Sequence, residues 1–179
     1  PSLLRVNCVW DKKQLDGFAA DYRDSSKKIP SAILDQLKAA RLATIGTFYR
    51  RQLSFGILDL ELHSQSKVGG SLDVIQTSNQ ILSDVFLPVP EDTTFATYFG
   101  HSTGYDAGYY RYAWADAIAA DMATVFEGSE LKYNDKEAAK RLRESIYAPG
   151  GSRNANDLIL EFLGRERSLA PFLKSIGIE

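Results

Sequence analysis

Residues 30–62 read PSAILDQLKAARLATIGTFYRRQLSFGILDLEL. Proline is tolerated in the first turn of a helix, where its missing N–H would go unbonded in any case. Pro30 therefore suits a helix start, and Ile33, Leu34, Leu37, Ala40, Arg41 and Ile45 follow at helical spacing. The pattern continues through Phe48, Gln52, Phe55, Leu58 and Leu62. Gly46 and Gly56 interrupt it, and either is a place for one long helix to kink or split. A stretch of this length with helical period and no alternation predicts a mainly α-helical chain.

The flanks agree. Upstream, Asp11 followed three residues later by Gln14 resembles a capping box. With Leu15, Phe18, Ala19 and Tyr22 it predicts a helix over 11–23, ended by the polar stretch 24–28. Downstream, 64–70 reads as loop, and Ser71 caps a helix through Ile75, Ile81 and Leu82 that stops before Pro88 and Pro90. Thr93 to Phe99, rich in Thr and aromatic residues, is the stretch that fits a short strand. A helix is expected over 104–126, then a turn over 127–133. Asn134 with Glu137 opens a helix through Leu142 and Ile146, and Pro149-Gly150-Gly151 breaks it. Asn154 with Asp157 opens another through Ile159, Phe162 and Leu163. A last short helix spans 169–175, with Gly177 as its stop. No internal repeat or low-complexity segment is visible. The expectation is a single helical domain over 1–179 with little or no strand.

Composition narrows function. Hydrophobic residues make up 44% and charged residues 25% of 179 residues, enough to bury a core. The net charge of −2 lacks the basic footprint of a nucleic-acid binder. Lys27-Lys28, Arg50-Arg51 and Arg141-Leu142-Arg143 read as solvated surface. Cys8 is the only cysteine, so no intrachain disulfide forms, which favours a reducing compartment. Beside Val6 and Val9 it reads as a small buried hydrophobe. No apolar run reaches membrane-spanning length and no signal peptide opens the chain, and no membrane partner is expected. The lone cysteine favours an intracellular location, cytosol or organelle. The chain opens at Pro1 rather than Met, as a processed or trimmed chain would.

The unusual stretch is FGHSTGYDAGYYRYAW, residues 99–114. On a helix, Tyr105, Tyr109, Tyr112 and Asp116 would share one face. Trp114, Ile118 and Val125 would lie roughly opposite, so a helix buried over much of its circumference is expected. Two readings stand side by side. In one, the tyrosines are amphipathic core residues with hydroxyls near water, and His101 is a loop residue. In the other, His101 and several phenols converge on a cleft and donate hydrogen bonds to a polarised peptide carbonyl. Gly100, Gly104 and Gly108 would then let backbone approach a ligand.

The chain resembles the C-terminal part of the thimet oligopeptidase, neurolysin and oligopeptidase A family of zinc metallopeptidases. The resemblance runs through Pro1-Ser2 with Asn7-x-x-Trp10, Phe48 to Gln52 with Leu62-His63, and Gly100-His101 with Gly104-Tyr105-Asp106-Ala107-x-Tyr109-Tyr110-x-Tyr112-x-Trp114. It continues through Pro149-Gly150-Gly151-Ser152, Phe162-Leu163-Gly164-Arg165 and Pro171-Phe172-Leu173. The order and spacing of these pieces carry it.

The resemblance implies that the loop between His101 and Tyr105 lines a substrate channel, with Gly100, Gly104 and Tyr109 as substrate-binding positions. His101, Tyr105 and Tyr112 would be catalytic, facing the peptide and its tetrahedral intermediate. Many members carry an extra glycine before the first tyrosine. Here only Ser102-Thr103-Gly104 stands there, closer to the mitochondrial intermediate peptidase type, which bears on the reach of Tyr105. The family's zinc chemistry needs H-E-x-x-H and a further Glu. The two histidines of this chain, His63 and His101, belong to no such motif. The resemblance thus implies no metal ligand and no cofactor in this stretch, zinc in the complete family enzyme, and a chain inactive alone.

Two functions remain open on the sequence. The first is the C-terminal half of an oligopeptidase, excised or separately encoded, whose partners are peptide substrate and the zinc-bearing upstream half. The second is a stand-alone, non-catalytic binding or scaffold protein derived from it, a pseudoenzyme. An unrelated hydrolase using Asp116 or Asp121 lacks a supporting pattern. Homo-oligomerisation is expected through apolar surface near the tyrosine face and along the helix through Phe48 and Phe55.

Overall fold

Side-chain acceptors start several helices of this chain. In the computed structural model, which describes residues 2–64 and 72–178, helix α1 spans Ser2–Cys8 and α2 spans Lys12–Phe18. The carboxylate of Asp11 caps α2 by accepting from the Gln14 amide at 3.1 Å, the bond expected of an N-cap aspartate. The helix is shorter than the predicted 11–23. Ala19 is extended, and Asp21 and Asp24 form an isolated bridge that turns the chain, leaving Tyr22 exposed. Cys8, expected as a small buried hydrophobe, is half-buried between exposed Val6 and Val9.

Helix α3, Ser31–Ser64, runs without interruption through both glycines. A Cβ at Gly46 would meet nothing within 4 Å, so this glycine only weakens local propensity. Of the predicted stripe, Leu34, Phe55 and Leu58 are buried, whereas Leu37 and Phe48 are half-exposed. The predicted loop 64–70 and the Ser71 cap lie, from residue 65 onward, outside the described residues. Helix α4, Val74–Val85, is capped by Asp73, whose carboxylate accepts from the Gln76 amide at 2.9 Å.

No strand forms at 93–99; a 3₁₀ turn over Phe95–Tyr98 is followed by another over Gly100–Thr103. A strand needs a partner edge for its N–H and C=O groups, and among the described residues there is only the Asp21–Asp24 bridge. The predicted 104–126 helix begins only at Arg111, giving α5, Arg111–Glu127. Helix α6, Lys136–Leu142, is capped by Asp135 rather than Asn134, and passes into a π-helical turn over Arg143–Tyr147. Asn154 caps α7, Ala155–Leu163, which ends at Gly164 in the left-handed conformation, φ 69°. Glycine is the residue that adopts this cap without a Cβ clash. Helix α8 spans Ala170–Ser175. Among the described residues the fold is therefore mainly helical with no strand, as the sequence predicts.

Backbone packing divides the chain into two compact units, Pro1–Leu42 with Ala115–Glu179, and Ala43–Trp114. In the first, Leu4, Met122, Phe126, Leu142, Ile159 and Phe162 form the core, with Ala119, Ala123 and Ala138 filling between them. Asp121, 1% exposed, is neutralised there by Arg165 and accepts the Ser168 amide at 2.8 Å. In the second, Leu58 and Leu82 are buried beside an aromatic cluster. Arg50 Nε donates to the Val85 carbonyl at 2.7 Å and Asn79 Nδ2 to the Thr93 carbonyl at 2.9 Å, tying α3 and the 93–99 segment to α4. No described helix is long and apolar enough to cross a membrane.

Candidate functional site

Phe55, on the buried face of α3, is the floor of the aromatic cluster in the second unit. It stacks on Phe95 at 4.8 Å between centroids and meets Phe99 and the edge of Tyr109 at 5.5 Å each. Arg51 lies over its ring at 5.1 Å. Phe55 is thus covered and does not belong to the exposed surface expected along this helix.

His101 sits above that floor. Its ring stacks between Phe99, 5.9 Å, and Tyr105, 5.3 Å, and meets Tyr109 at 4.8 Å and Tyr112 at 5.8 Å. Tyr109 and Tyr112 lie 4.9 Å apart. Nε2 of His101 is buried and meets no hydrogen-bond partner among the described residues. Tyr105 is 65% exposed and Tyr112 52%, so both keep a face to solvent. Gly100 and Gly104 are exposed at the two ends of the 3₁₀ turn that carries His101.

The predicted site residues therefore come together, but by another route than a shared helix face. Tyr105 and Tyr109 precede α5 in irregular backbone, and only Tyr112 and Asp116 lie on it. Residues 105–110 are held by α3. The fully buried Asp59 carboxylate accepts amides from Ala107 at 3.2 Å, Gly108 at 2.7 Å and Tyr109 at 2.8 Å. A Cβ at Gly56 would lie 3.5 Å from Tyr110 N and Cα, at ordinary van der Waals distance. Tyr109 donates to Gln52 Oε1 at 3.0 Å. Burial, then the neighbouring Tyr112, holds the Tyr109 phenol above its ordinary pKa. Asp59 was not singled out by the sequence reading. The signal for it was an acid flanked by the apolar positions Leu58 and Leu62, four residues before His63.

Zinc takes four N, S or O ligands at about 2.0–2.3 Å. Among the described residues no group of three or more His, Cys, Asp and Glu side chains is placed to hold a metal. His63 Nδ1 bonds the Asp59 carbonyl at 2.7 Å and lies 3.2 Å from Asp59 Oδ1, while the His101 ring is enclosed by aromatic rings. The described residues of this chain do not fit a zinc site by themselves.

Comparison with known proteins identifies the family. The model of peptidase family M3 matches residues 1–178. The chain is 34% identical to the organellar oligopeptidase A, chloroplastic/mitochondrial, of Arabidopsis thaliana, over 99% of this chain and 23% of that protein. It is 32% identical to oligopeptidase A of Escherichia coli K12, over 100% of this chain and 26% of that protein. It is 34% identical to saccharolysin of Saccharomyces cerevisiae, over 100% of this chain and 25% of that protein. The chain spans about a quarter of the length of the curated relatives it matches. A family match over nearly every residue, with relatives above 30% identity along the same span, makes this chain a member of peptidase family M3.

Proposed function

We propose that residues 1–179 are one portion of an oligopeptidase catalytic domain, forming part of its substrate-channel wall. Tyr112, Tyr105 and His101 donate hydrogen bonds to a peptide carbonyl oxygen as negative charge develops on it. Gly100, Gly104 and Tyr109 line the path of the peptide backbone. The metal ligands and general base are supplied by other parts of the family's catalytic domain.

The convergence of Tyr105, Tyr109 and Tyr112 on His101 is the observation that supports this reading. Nε2 of His101 is desolvated without a partner, which is costly unless a ligand completes it. Pre-aimed donors in a water-poor site need no reorganisation when charge appears, and they act more strongly there than in water. Tyrosine supplies such a donor on a rigid ring with few rotatable bonds.

The test is complementation. This chain is joined, by fusion or mixing, to the zinc-bearing portion of an oligopeptidase that lacks its own counterpart of 1–179. Cleavage of a short peptide by the pair, and by neither piece alone, supports the assignment. A pair that folds and associates yet cleaves nothing contradicts it.

A further inference from the structure

We infer that Asp59 is the positioning residue of this site: through the 107–109 backbone it fixes the tyrosines around His101. The inference rests on the function proposed above only for its kinetic consequence, not for its structural one.

A carboxylate has about four lone-pair directions, and backbone amides take three of those of Asp59. Oδ1 accepts from the Ala107 amide at 3.2 Å and lies 3.2 Å from His63 Nδ1. Oδ2 accepts from the amides of Gly108, 2.7 Å, and Tyr109, 2.8 Å. Because His63 Nδ1 faces two acceptors, the Asp59 carbonyl at 2.7 Å and the carboxylate, Nδ1 carries the hydrogen. Three successive amides turned onto one anion make a nest, a backbone shape that needs a residue in the left-handed region. Ala107 is that residue, with φ 52°. An alanine avoids this conformation on its own, so the anion holds it there. Asp59 is 0% exposed and stands within the helix Ser31–Ser64, in its C-terminal part, so the anchor is held by burial and by helical backbone.

The consequence reaches the site because residues 107–109 link the two parts of it. Tyr105 stands two residues before the nest, Tyr109 is its last member, and Tyr112 opens the first turn of α5 beyond it. Asp59 touches none of the reacting groups and acts only through this backbone. Asparagine keeps the shape of the side chain but replaces one acceptor oxygen with a donor NH₂, which then faces amide N–H groups.

Amide hydrogen exchange on the chain itself provides the test. In the unaltered protein the amides of Ala107, Gly108 and Tyr109 are expected to exchange about 100-fold more slowly than that of Asp106. Asp59→Asn should bring all three to within about 10-fold of Asp106 while Phe126 and Phe162 in the other unit keep their protection. Ring-shifted resonances of His101 should move toward unstructured positions in the same variant. In the complemented enzyme, Asp59→Asn should lower kcat about 10-fold or more with KM within about threefold, and add little to Tyr112→Phe. Fast exchange at 107–109 in the unaltered chain would overturn the inference. So would unchanged protection in Asp59→Asn, or global loss of protection or folding in that variant, which would make Asp59 a residue of general stability. Tyr112→Phe should leave the exchange pattern intact, so an inert Tyr112 would remove the proposed function and leave the Asp59 result standing.

Discussion

The Tyr109 hydroxyl donates to Gln52 Oε1 at 3.0 Å, so this phenol is already committed within the protein. Tyr112 has no such bond to Gln52 and keeps half its surface to solvent. Tyr109→Phe should therefore reduce peptide cleavage in the complemented enzyme less than Tyr112→Phe does. Equal losses from the two variants would show that Tyr109 leaves Gln52 to contact substrate.

The same phenol carries a pH dependence. Burial, and then Tyr112, holds its pKa above the ordinary 10.0. The folded state thus binds this proton more tightly than the unfolded state. The resulting stabilisation is fully present below about pH 10 and is lost as pH rises through the folded value. Urea midpoints followed through the alkaline range should fall for the unaltered chain and fall less for Tyr109→Phe. Parallel curves would show that burial of Tyr109 does not set this dependence.

Arg165 is the charge partner of a buried acid. Its Nη2 lies 2.6 Å from Asp121 Oδ1 and Nη1 3.2 Å from Oδ2. Arg165→Ala strands a carboxylate that is 1% exposed, with the Ser168 amide as a remaining donor. Breaking a buried pair from one side costs roughly 3–5 kcal/mol, and the part-exposed arginine puts the expected loss near the lower end. A urea denaturation series should find it; a change under about 0.5 kcal/mol, as for an ordinary surface site, would contradict the account of this ion pair.

Gly46 stands in an uninterrupted helix with open space around its Cα. Gly46→Ala should stabilise the chain by about 1 kcal/mol through helix propensity. A melting temperature raised by roughly 2–4 °C is the corresponding readout for a chain of this size. A lowered value would mean that the helix needs this glycine to bend.

Helical content was legible because period and caps are local signals. The position of a cap was less so, since neighbouring acceptors compete: Asp135 acts rather than Asn134. The 104–110 segment was illegible for a different reason. Its amides are taken by Asp59, 48 to 50 residues away, and no local pattern announces that bond. The identities of His101, Tyr105, Tyr109 and Tyr112 could be read from the motif, while the route that brings them together could not. The apparent strand at 93–99 failed likewise, because Phe95 and Phe99 are spent on Phe55 rather than on a sheet.

Leu53, Ile57 and Leu60 form a half-exposed stripe at helical spacing on α3, and Phe48 is also half-exposed. Such surface favours association, and a net charge of −2 opposes it little. Sedimentation velocity over a wide concentration range should detect self-association of the isolated chain. A strictly monomeric species that binds no hydrophobic dye would count against an interface there.

The most direct measurement is the kinetics of Tyr112→Phe in the complemented enzyme. The variant removes one hydroxyl and keeps the ring against His101 and Tyr109. A donor that acts mainly in the transition state changes kcat rather than substrate binding. The expected result is a fall in kcat of about 10²–10³-fold with KM little changed. An unchanged kcat would contradict the assignment of this tyrosine cluster to peptide hydrolysis.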